Sequence, residues 1–437
     1  MNVLIVSFWF PPSNVVGAIR VGKLARYLDR RGYGLRVLTT DIGGDRSLPL
    51  EIAREQVTCT DYRQGKDRLA CMVRLFRRGS AELGAVDELP RTEGHTPRKR
   101  LWDSLRHHYH GLRNIPDLRR AWIKTAVPAG RQLIAEWRPD IIFASAPPFT
   151  SLIVSSRLSR AFGIPWIADF RDLWVDGPYY SEPRWRRRVD AVLEHGMVRS
   201  AAALVTVSPI WAEQLRQRHG KAVEAILNGY AEEDFPEHVP QPGQRARLTI
   251  RYTGSIYRGF RDPSALFAAI GLLSDGLRTG VTVEFFGDAG DDVLALARQH
   301  RVGDRVTVRP PVPYSRSLEL QMTADILLLL QWSDKRDEGN LPGKIFEYLY
   351  ARRPILFIGY EHGTAARLIR ERGAGFVSNV PERICDQLAL WIEDKKSDRL
   401  NRLDPSVSRG LSRDDQFRKL EHVFAKVLNQ RHGATQA

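Results

Sequence analysis

The feature that most constrains this chain is a recurring alternation of short apolar runs with amphipathic stretches. Val3 to Ser7 is such a run. A Pro-Pro turn, Gly17 and an amphipathic stretch from Arg20 to Arg31 follow it, and Gly32-Tyr-Gly leads into Leu35-Arg-Val-Leu-Thr-Thr. Strand, loop, helix, turn and strand in that order predict a βαβ unit, because parallel strands need a long crossover that a helix supplies. The alternation returns at Ile141-Ile-Phe-Ala-Ser, Pro165-Trp-Ile-Ala-Asp-Phe, Ala203-Leu-Val-Thr-Val-Ser and Ala225-Ile-Leu-Asn-Gly. Beyond the polar, proline-rich stretch Glu237-His-Val-Pro-Gln-Pro-Gly-Gln, read as a linker, it restarts. The later runs are Leu248-Thr-Ile-Arg-Tyr-Thr-Gly-Ser, Val281-Thr-Val-Glu-Phe-Phe-Gly, Val306-Thr-Val-Arg, Ala324-Asp-Ile-Leu-Leu-Leu-Leu and Pro354-Ile-Leu-Phe-Ile-Gly.

A chain of 437 residues exceeds the size at which one core keeps growing, so two domains facing a cleft are expected. The fold class is α/β, with two Rossmann-like, doubly wound parallel sheets over residues 1–235 and 245–405. A closing helix at about 412–430 carries Phe417, Leu420, Val423, Phe424 and Val427 at helical spacing, an apolar face able to pack against either domain. Residues from about 42 to 128 do not alternate cleanly and read as a segment inserted in the N-terminal half. Its later part, Pro97-Arg-Lys-Arg-Leu-Trp-Asp-Ser-Leu-Arg-His-His-Tyr-His-Gly-Leu-Arg, interleaves cations with aromatic and aliphatic residues as surface-seeking helices do.

The excess of 66 Lys+Arg over 51 Asp+Glu, a formal +15, favours anionic partners: phosphates, nucleic acid or an acidic membrane surface. The cations are spread over both halves without a nucleic-acid-binding module, which argues against nucleic acid. No run approaches the length of a membrane span. The apolar start Met1-Asn-Val-Leu-Ile-Val lacks a basic leader and a cleavage site, so it reads as a buried strand of a cytoplasmic protein. Cys59, Cys71 and Cys385 are too scattered for a disulfide framework or a zinc site. His107, His108 and His110 lie in the basic segment and read as solvated, so no metal is expected. The absence of Gly-x-Gly-x-x-Gly after the first strand, and of any Walker loop, argues against dinucleotide oxidoreductases and P-loop nucleotidases.

In open parallel sheets, ligands bind beyond the carboxyl ends of the strands, where helix N-termini offer free N–H groups to anions. The candidate loops are therefore Phe8 to Gly17, Ser145 to Thr150, Asp169 to Trp174, Ser208, Asn228-Gly229, Thr253 to Arg261, Gly287-Asp288, Gln331 to Lys344 and Gly359 to Thr364. Clustered charge at a strand end, as in Asp169, Arg171 and Asp172, is more often site than scaffold.

Several of these loops carry a resemblance. Tyr252-Thr-Gly-Ser-Ile-Tyr-Arg-Gly-Phe-Arg-Asp, Phe286-Gly, Ala324-Asp-Ile-Leu and Leu341-Pro-Gly-Lys-Ile-Phe-Glu-Tyr-Leu-Tyr-Ala-Arg-Arg-Pro resemble the donor domain of family-four glycosyltransferases. In the N-terminal half Phe10-Pro-Pro, Gly17, Arg20, Pro116-Asp with Trp122, Ser145-Ala-Pro-Pro-Phe-Thr, Pro165-Trp-Ile-Ala-Asp-Phe-Arg-Asp-Leu-Trp and Asn228-Gly-Tyr resemble its bacterial polysaccharide-assembly branch. The resemblance implies a GT-B fold and a retaining glycosyltransferase of the hexosyltransferase type. The C-terminal half would hold a nucleotide-diphosphate sugar, and the N-terminal half a saccharide or polyprenyl-diphosphate-linked acceptor. Peripheral contact with an anionic membrane and a role in cell-surface polysaccharide synthesis follow, with the nucleotide-sugar as substrate and no cofactor.

Residue by residue, the resemblance assigns Glu347 to the ribose, since a carboxylate accepts from both hydroxyls. Lys344 and Arg261 go to the diphosphate, whose charge grows in the transition state. With Asp172 they form the expected catalytic set. Gly254, Ser255, Arg258, Gly287, Leu341, Pro342 and Gly343 complete the donor contacts, and Gly17, Arg20, Asp169 and Arg171 the acceptor side and phosphate loop. Two departures stand out. The family pairs Glu347 with a glutamate separated from it by seven residues, and that position here is Gly339, with Glu338 one place earlier. The family's acceptor-side histidine is also missing near Asp169. Two other readings of the same architecture are a nucleotide-sugar epimerase and a non-catalytic nucleotide-sugar-binding subunit.

Overall fold

The computed structural model describes residues 1–62, 114–237, 247–288, 290–400 and 402–436. The first sheet contains β1 (Asn2–Ser7), β2 (Gly34–Asp41), β3 (Val57–Asp61), β4 (Ile141–Ala146), β5 (Trp166–Phe170), β6 (Ala203–Thr206) and β7 (Val223–Ala225), in the order β3-β2-β1-β4-β5-β6-β7. The second contains β8 (Leu248–Thr253), β9 (Val281–Phe286), β10 (Val306–Arg309), β11 (Ile326–Leu330), β12 (Ile355–Ile358) and β13 (Gly375–Val377), in the order β10-β9-β8-β11-β12-β13. Every pairing is parallel.

Period-two alternation sends each strand's side chains to two covered faces, which is why the strands read as continuous apolar runs. In the first sheet Leu4, Val6, Ile142 and Ala144 pack under the helices Ile123–Glu136, Thr150–Phe162 and Pro209–His219. Val3, Ile5, Ile141 and Phe143 face the helix Val16–Arg30 on the other side. In the second sheet Ile250, Val283, Ile326 and Leu328 meet the helices Ser264–Leu272 and Pro381–Lys396. Leu327, Leu329, Ile355 and Phe357 meet Tyr314–Met322 and Lys344–Ala351. Both sheets are doubly wound, as the alternation predicts.

Three sequence expectations change. Strand β3 falls inside the stretch from 42 to 128, so Val57–Asp61 of that stretch belong to the sheet and not to an insertion. The helix Ile123–Glu136 likewise begins within the stretch and extends past its end. The basic segment at 97–113 and its histidines lie outside the described residues. The last strand of the N-terminal half spans Val223–Ala225, and Asn228-Gly229 forms a loop after it. The closing helix, Arg413–Gln436, chooses the N-terminal half: Phe417, Leu420, Val423, Phe424 and Val427 join Val3, Ile5 and Phe143 in one core. Tyr27 donates to Glu421 at 2.8 Å from the facing helix. No described helix is long and apolar enough to cross a membrane.

Each sheet has one switch point, between β1 and β4 and between β8 and β11. Crevices open there at the strand carboxyl ends.

Candidate active site

At the β8–β11 switch, β8 ends in Thr253 and the chain turns through Gly254 at φ 126°. That is a left-handed conformation a side chain rarely adopts. The helix Lys344–Ala351 begins opposite this turn, and the Lys344 ammonium donates to the Thr253 carbonyl at 2.6 Å. A Cβ on Gly254 would lie 2.6 Å from Lys344 Nζ, so the glycine is required for the lysine to cross the turn. The ammonium also lies 4.3 Å from the centre of the Tyr252 ring. Arg261 joins the group through the Ser255 carbonyl at 2.7 Å and the Tyr252 hydroxyl at 3.2 Å. Burial pushes the Lys344 pKa down, and Arg261 pushes it in the same direction. Burial raises the Tyr252 phenol, but Lys344 and Arg261 together bring it below its ordinary value. Two cations are thus gathered at a glycine turn with little carboxylate compensation, an arrangement suited to an anion.

Glu347, one turn along the same helix, is fixed from the side. Tyr314 donates to Oε1 at 3.1 Å and Gln321 to Oε2 at 3.0 Å, both from the helix Tyr314–Met322. Each carboxylate oxygen keeps lone-pair capacity for a ligand hydroxyl. Gly287 serves the backbone: at φ 148° its Cβ would fall 2.2 Å from the Gly254 carbonyl oxygen, so it allows the β9 and β8 loops to touch. Leu341 is a core residue, Ser255 contributes its carbonyl, and Pro342 and Gly343 lead into the helix. Space is open around Gly343. Arg258 does not converge on the group: its side chain is 83 % exposed and sits 3.7 Å from Asp292.

On the N-terminal side, two expected ligand contacts prove to be each other's partners. Arg20 grips Asp169 through Nε at 3.2 Å and Nη2 at 3.1 Å, with Nη1 on the Leu227 carbonyl at 3.0 Å and on Asn228 Oδ1 at 3.3 Å. Ser145 adds a bond to Asp169 at 2.8 Å. Both residues are buried, and the fork geometry uses the guanidinium fully. They tie β4, β5 and the Asn228 loop together instead of facing the crevice. Clustered charge identified the strand end correctly but not which charges are free.

Arg171 donates to the Pro147 carbonyl and leaves its Nε without a partner. Its guanidinium lies against Gly17, where a Cβ would come within 2.3 Å of Nη1, so Gly17 makes room for an arginine. Burial lowers the Arg171 pKa. Asp172 is solvent-accessible yet ringed by protein, which pushes its carboxyl up while Arg171 pulls against the shift. It makes no side-chain hydrogen bond among the described residues, which leaves it free to meet a ligand.

A contact between the halves escaped sequence reasoning. Tyr179, on the loop after β5, donates to Asp337 Oδ1 at 3.0 Å. Its ring stands edge-on to Phe260 with centroids 5.1 Å apart and stacks on Trp332 at 6.1 Å. Asn340 and Gln331 also donate to Asp337, at 3.0 and 3.3 Å. Burial raises the Asp337 pKa to about 6 against these bonds. Gly339 is buried against Trp211, whose Cδ1 would lie 2.2 Å from an added Cβ. The indole therefore occupies the space where the family pattern places a glutamate. Glu338 offers Thr364 its backbone carbonyl, at 2.8 Å from the amide. No motif flags Tyr179, Trp211, Tyr314 or Gln321; the only signal was their presence on strand-end loops or facing helices.

Residues 17–231 match the family model described as glycosyl transferase 4-like domain. No curated protein is similar in sequence. Solved structures share the architecture. HepE from Anabaena in complex with UDP superimposes with a TM-score of 0.63 at 13% identity, covering 98% of this chain and 100% of that one. Sucrose-phosphate synthase from Thermosynechococcus elongatus gives 0.58 at 15% identity, over 100% and 98%. The lipopolysaccharide outer core galactosyltransferase WaaB gives 0.55 at 12%, over 98% and 100%. At such identities the likeness establishes the fold, which is GT-B.

Proposed function

We propose, because residues 17–231 match the glycosyl transferase 4-like domain model, that the protein transfers a sugar from a nucleotide-diphosphate donor. The acceptor is a saccharide or a polyprenyl-diphosphate-linked saccharide, and transfer retains the anomeric configuration. The observation that carries the reading is the Lys344–Gly254 contact with Glu347 one turn on. Lys344 and Arg261 converge on the Gly254 turn, where a diphosphate would meet two fixed cations, and Glu347 keeps lone pairs for ribose hydroxyls. Diphosphate charge grows as the glycosidic bond breaks, so cations already fixed there stabilise the transition state more than the bound donor. This scheme calls for no metal or other cofactor. Asp172, accessible and with a raised pKa, is the group suited to bind the attacking hydroxyl. The relatives found with UDP or UDP-glucose bound support a nucleotide-sugar donor.

The net charge of +15 supports peripheral attachment to the inner face of the cell membrane, since anionic lipid attracts basic residues by about 1 kcal/mol each near the surface. Salt-insensitive flotation, or none, with anionic vesicles would remove this part of the proposal. The donor site is tested by thermal shift with UDP, GDP, ADP and dTDP. A nucleotide at about a hundred times its Kd adds roughly 2.7 kcal/mol to stability. Lys344→Ala and Glu347→Ala should each lose that stabilisation, and unchanged shifts in both variants would defeat the site. The configuration of the product's anomeric carbon, read by NMR, tests retention.

A further inference from the structure

At the carboxyl end of the first sheet, the Arg119 guanidinium is held over three aromatic rings and has no anionic partner among the described residues. Its carbon lies 5.5 Å from the centre of Phe8, 5.4 Å from Trp9 and 5.6 Å from Tyr62. The rings form a cup: Phe8 stands edge-on to Trp9 at 4.9 Å and to Tyr62 at 5.2 Å. The backbone beneath is pinned. Asp117 accepts from the Arg119 amide at 2.8 Å, from the Thr150 amide at 2.8 Å and from the Thr150 hydroxyl at 2.7 Å. That carboxylate is thus consumed in capping the helix Thr150–Phe162, and the Tyr62 hydroxyl is spent on the Leu118 carbonyl at 3.0 Å.

A guanidinium carries five N–H donors and no acceptor. Here the aromatic faces satisfy its charge without using those donors. The residue is partly exposed, and neither an ion pair nor a side-chain hydrogen bond reaches it among the described residues. A planar donor fork so oriented suits two oxygens of a phosphate, and arginine forms such paired bonds better than lysine. Beside it are apolar side chains: Leu118 is 55 % exposed and Trp9 is half-buried. Trp9 lies on the loop that leads from β1 into the helix Val16–Arg30, whose first turn holds Gly17 against Arg171, on the side read above as the acceptor's.

We propose that Arg119 is the residue that recognises the acceptor's diphosphate, with Trp9, Tyr62 and Leu118 receiving the first part of the apolar chain to which that diphosphate is joined. This rests on the reading of the N-terminal half as the acceptor side. It adds a residue, and a reason for the lipid carrier, that the donor-site argument does not supply.

The test uses the full chain with excess UDP to occupy the donor site, and measures binding of farnesyl diphosphate, farnesol and inorganic pyrophosphate by calorimetry. Farnesyl diphosphate should bind the wild type and lose at least about tenfold in affinity in Arg119→Gln, the scale of charge-assisted hydrogen bonds removed together. Arg119→Lys should fall between them, and farnesol should bind both proteins alike. Equal affinity of wild type and Arg119→Gln for farnesyl diphosphate overturns the proposal, as does an absence of binding by the wild type. Pyrophosphate binding as tightly as farnesyl diphosphate would overturn the lipid source and leave a free anion. UDP affinity should be the same in wild type and Arg119→Gln; failure of UDP to bind either protein would count against the donor site, while the farnesyl comparison still decides the role of Arg119.

Discussion

The Tyr179 hydroxyl meets Asp337 Oδ1 at 3.0 Å, joining two loops 158 residues apart in the chain across the crevice between the sheets. The loop that carries Tyr179 begins with Arg171 and Asp172, so this bond also ties that loop to the second sheet's half of the chain. The bond should be measurable as a coupling. Tyr179→Phe and Asp337→Asn should each destabilise the protein, and the double variant should be more stable than their sum by about 0.5–1.5 kcal/mol in urea unfolding. Strict additivity would mean that the two side chains do not interact in solution.

Asp337 also predicts a pH dependence. Its pKa in the fold, about 6, lies above the ordinary carboxylate value of about 3.8 because the carboxyl is buried. The folded state therefore holds the proton more tightly than the unfolded chain. That contribution is fully present below the unfolded pKa and is lost as pH rises through about 6, amounting to at most roughly 3 kcal/mol. Stability measured from pH 4 to 8 should accordingly contain a component that falls from about pH 4 and levels off above about 6, and that Asp337→Asn lacks. Parallel profiles for the two proteins would place the Asp337 pKa near its ordinary value.

Most of the fold was legible in the sequence and the geometry of the candidate site less so, for different reasons. The central strands are buried on both faces, so they appear as apolar runs with helices between them. Strand β3, Val57-Thr-Cys-Thr-Asp, lies at a sheet edge with only Thr60 buried, and β13 is a three-residue edge strand. Short, polar edges avoid pairing with other chains and for that reason carry little periodic signal. In the site, Lys344, Glu347 and Gly254 were legible because a glycine turn and a helix start fix them locally. The pairing of Arg20 with Asp169 and of Tyr179 with Asp337 depends on which loops the topology brings together, and spacing along the chain does not encode that.

Lys344 should show a trade between stability and binding. Its ammonium is desolvated, sits beside the Arg261 charge and has one carbonyl as its hydrogen-bond acceptor. A cation so placed costs the empty protein stability unless an anion arrives. Lys344→Met keeps the volume and removes the charge. The unliganded variant should unfold at the same temperature as the wild type or a few degrees higher, consistent with up to about 1 kcal/mol, while the shift produced by nucleoside diphosphate disappears. A variant markedly less stable without ligand would show that Lys344 holds the fold together and is not kept for an anion.

Gly339 offers the last test, because it asks whether the family glutamate can be put back. An added Cβ would overlap the Trp211 indole, with Cδ1 at 2.2 Å and Nε1 at 2.3 Å, and Trp211 is buried in the N-terminal core. The indole cannot swing aside without opening a cavity beneath it. Gly339→Ala should therefore cost about 1–3 kcal/mol, in the range of overpacked cores, and Gly339→Glu more, since it adds a carboxylate that would be buried without a partner. Trp211→Ala alone should cost about 3–5 kcal/mol. Combined with Gly339→Ala it should cost less than the sum, because the smaller side chain leaves room for the new methyl. Unfolding free energies of the four proteins decide it: additive values would mean that the loop moves away from Trp211 in solution. In that case the loss of the glutamate would not be explained by the indole.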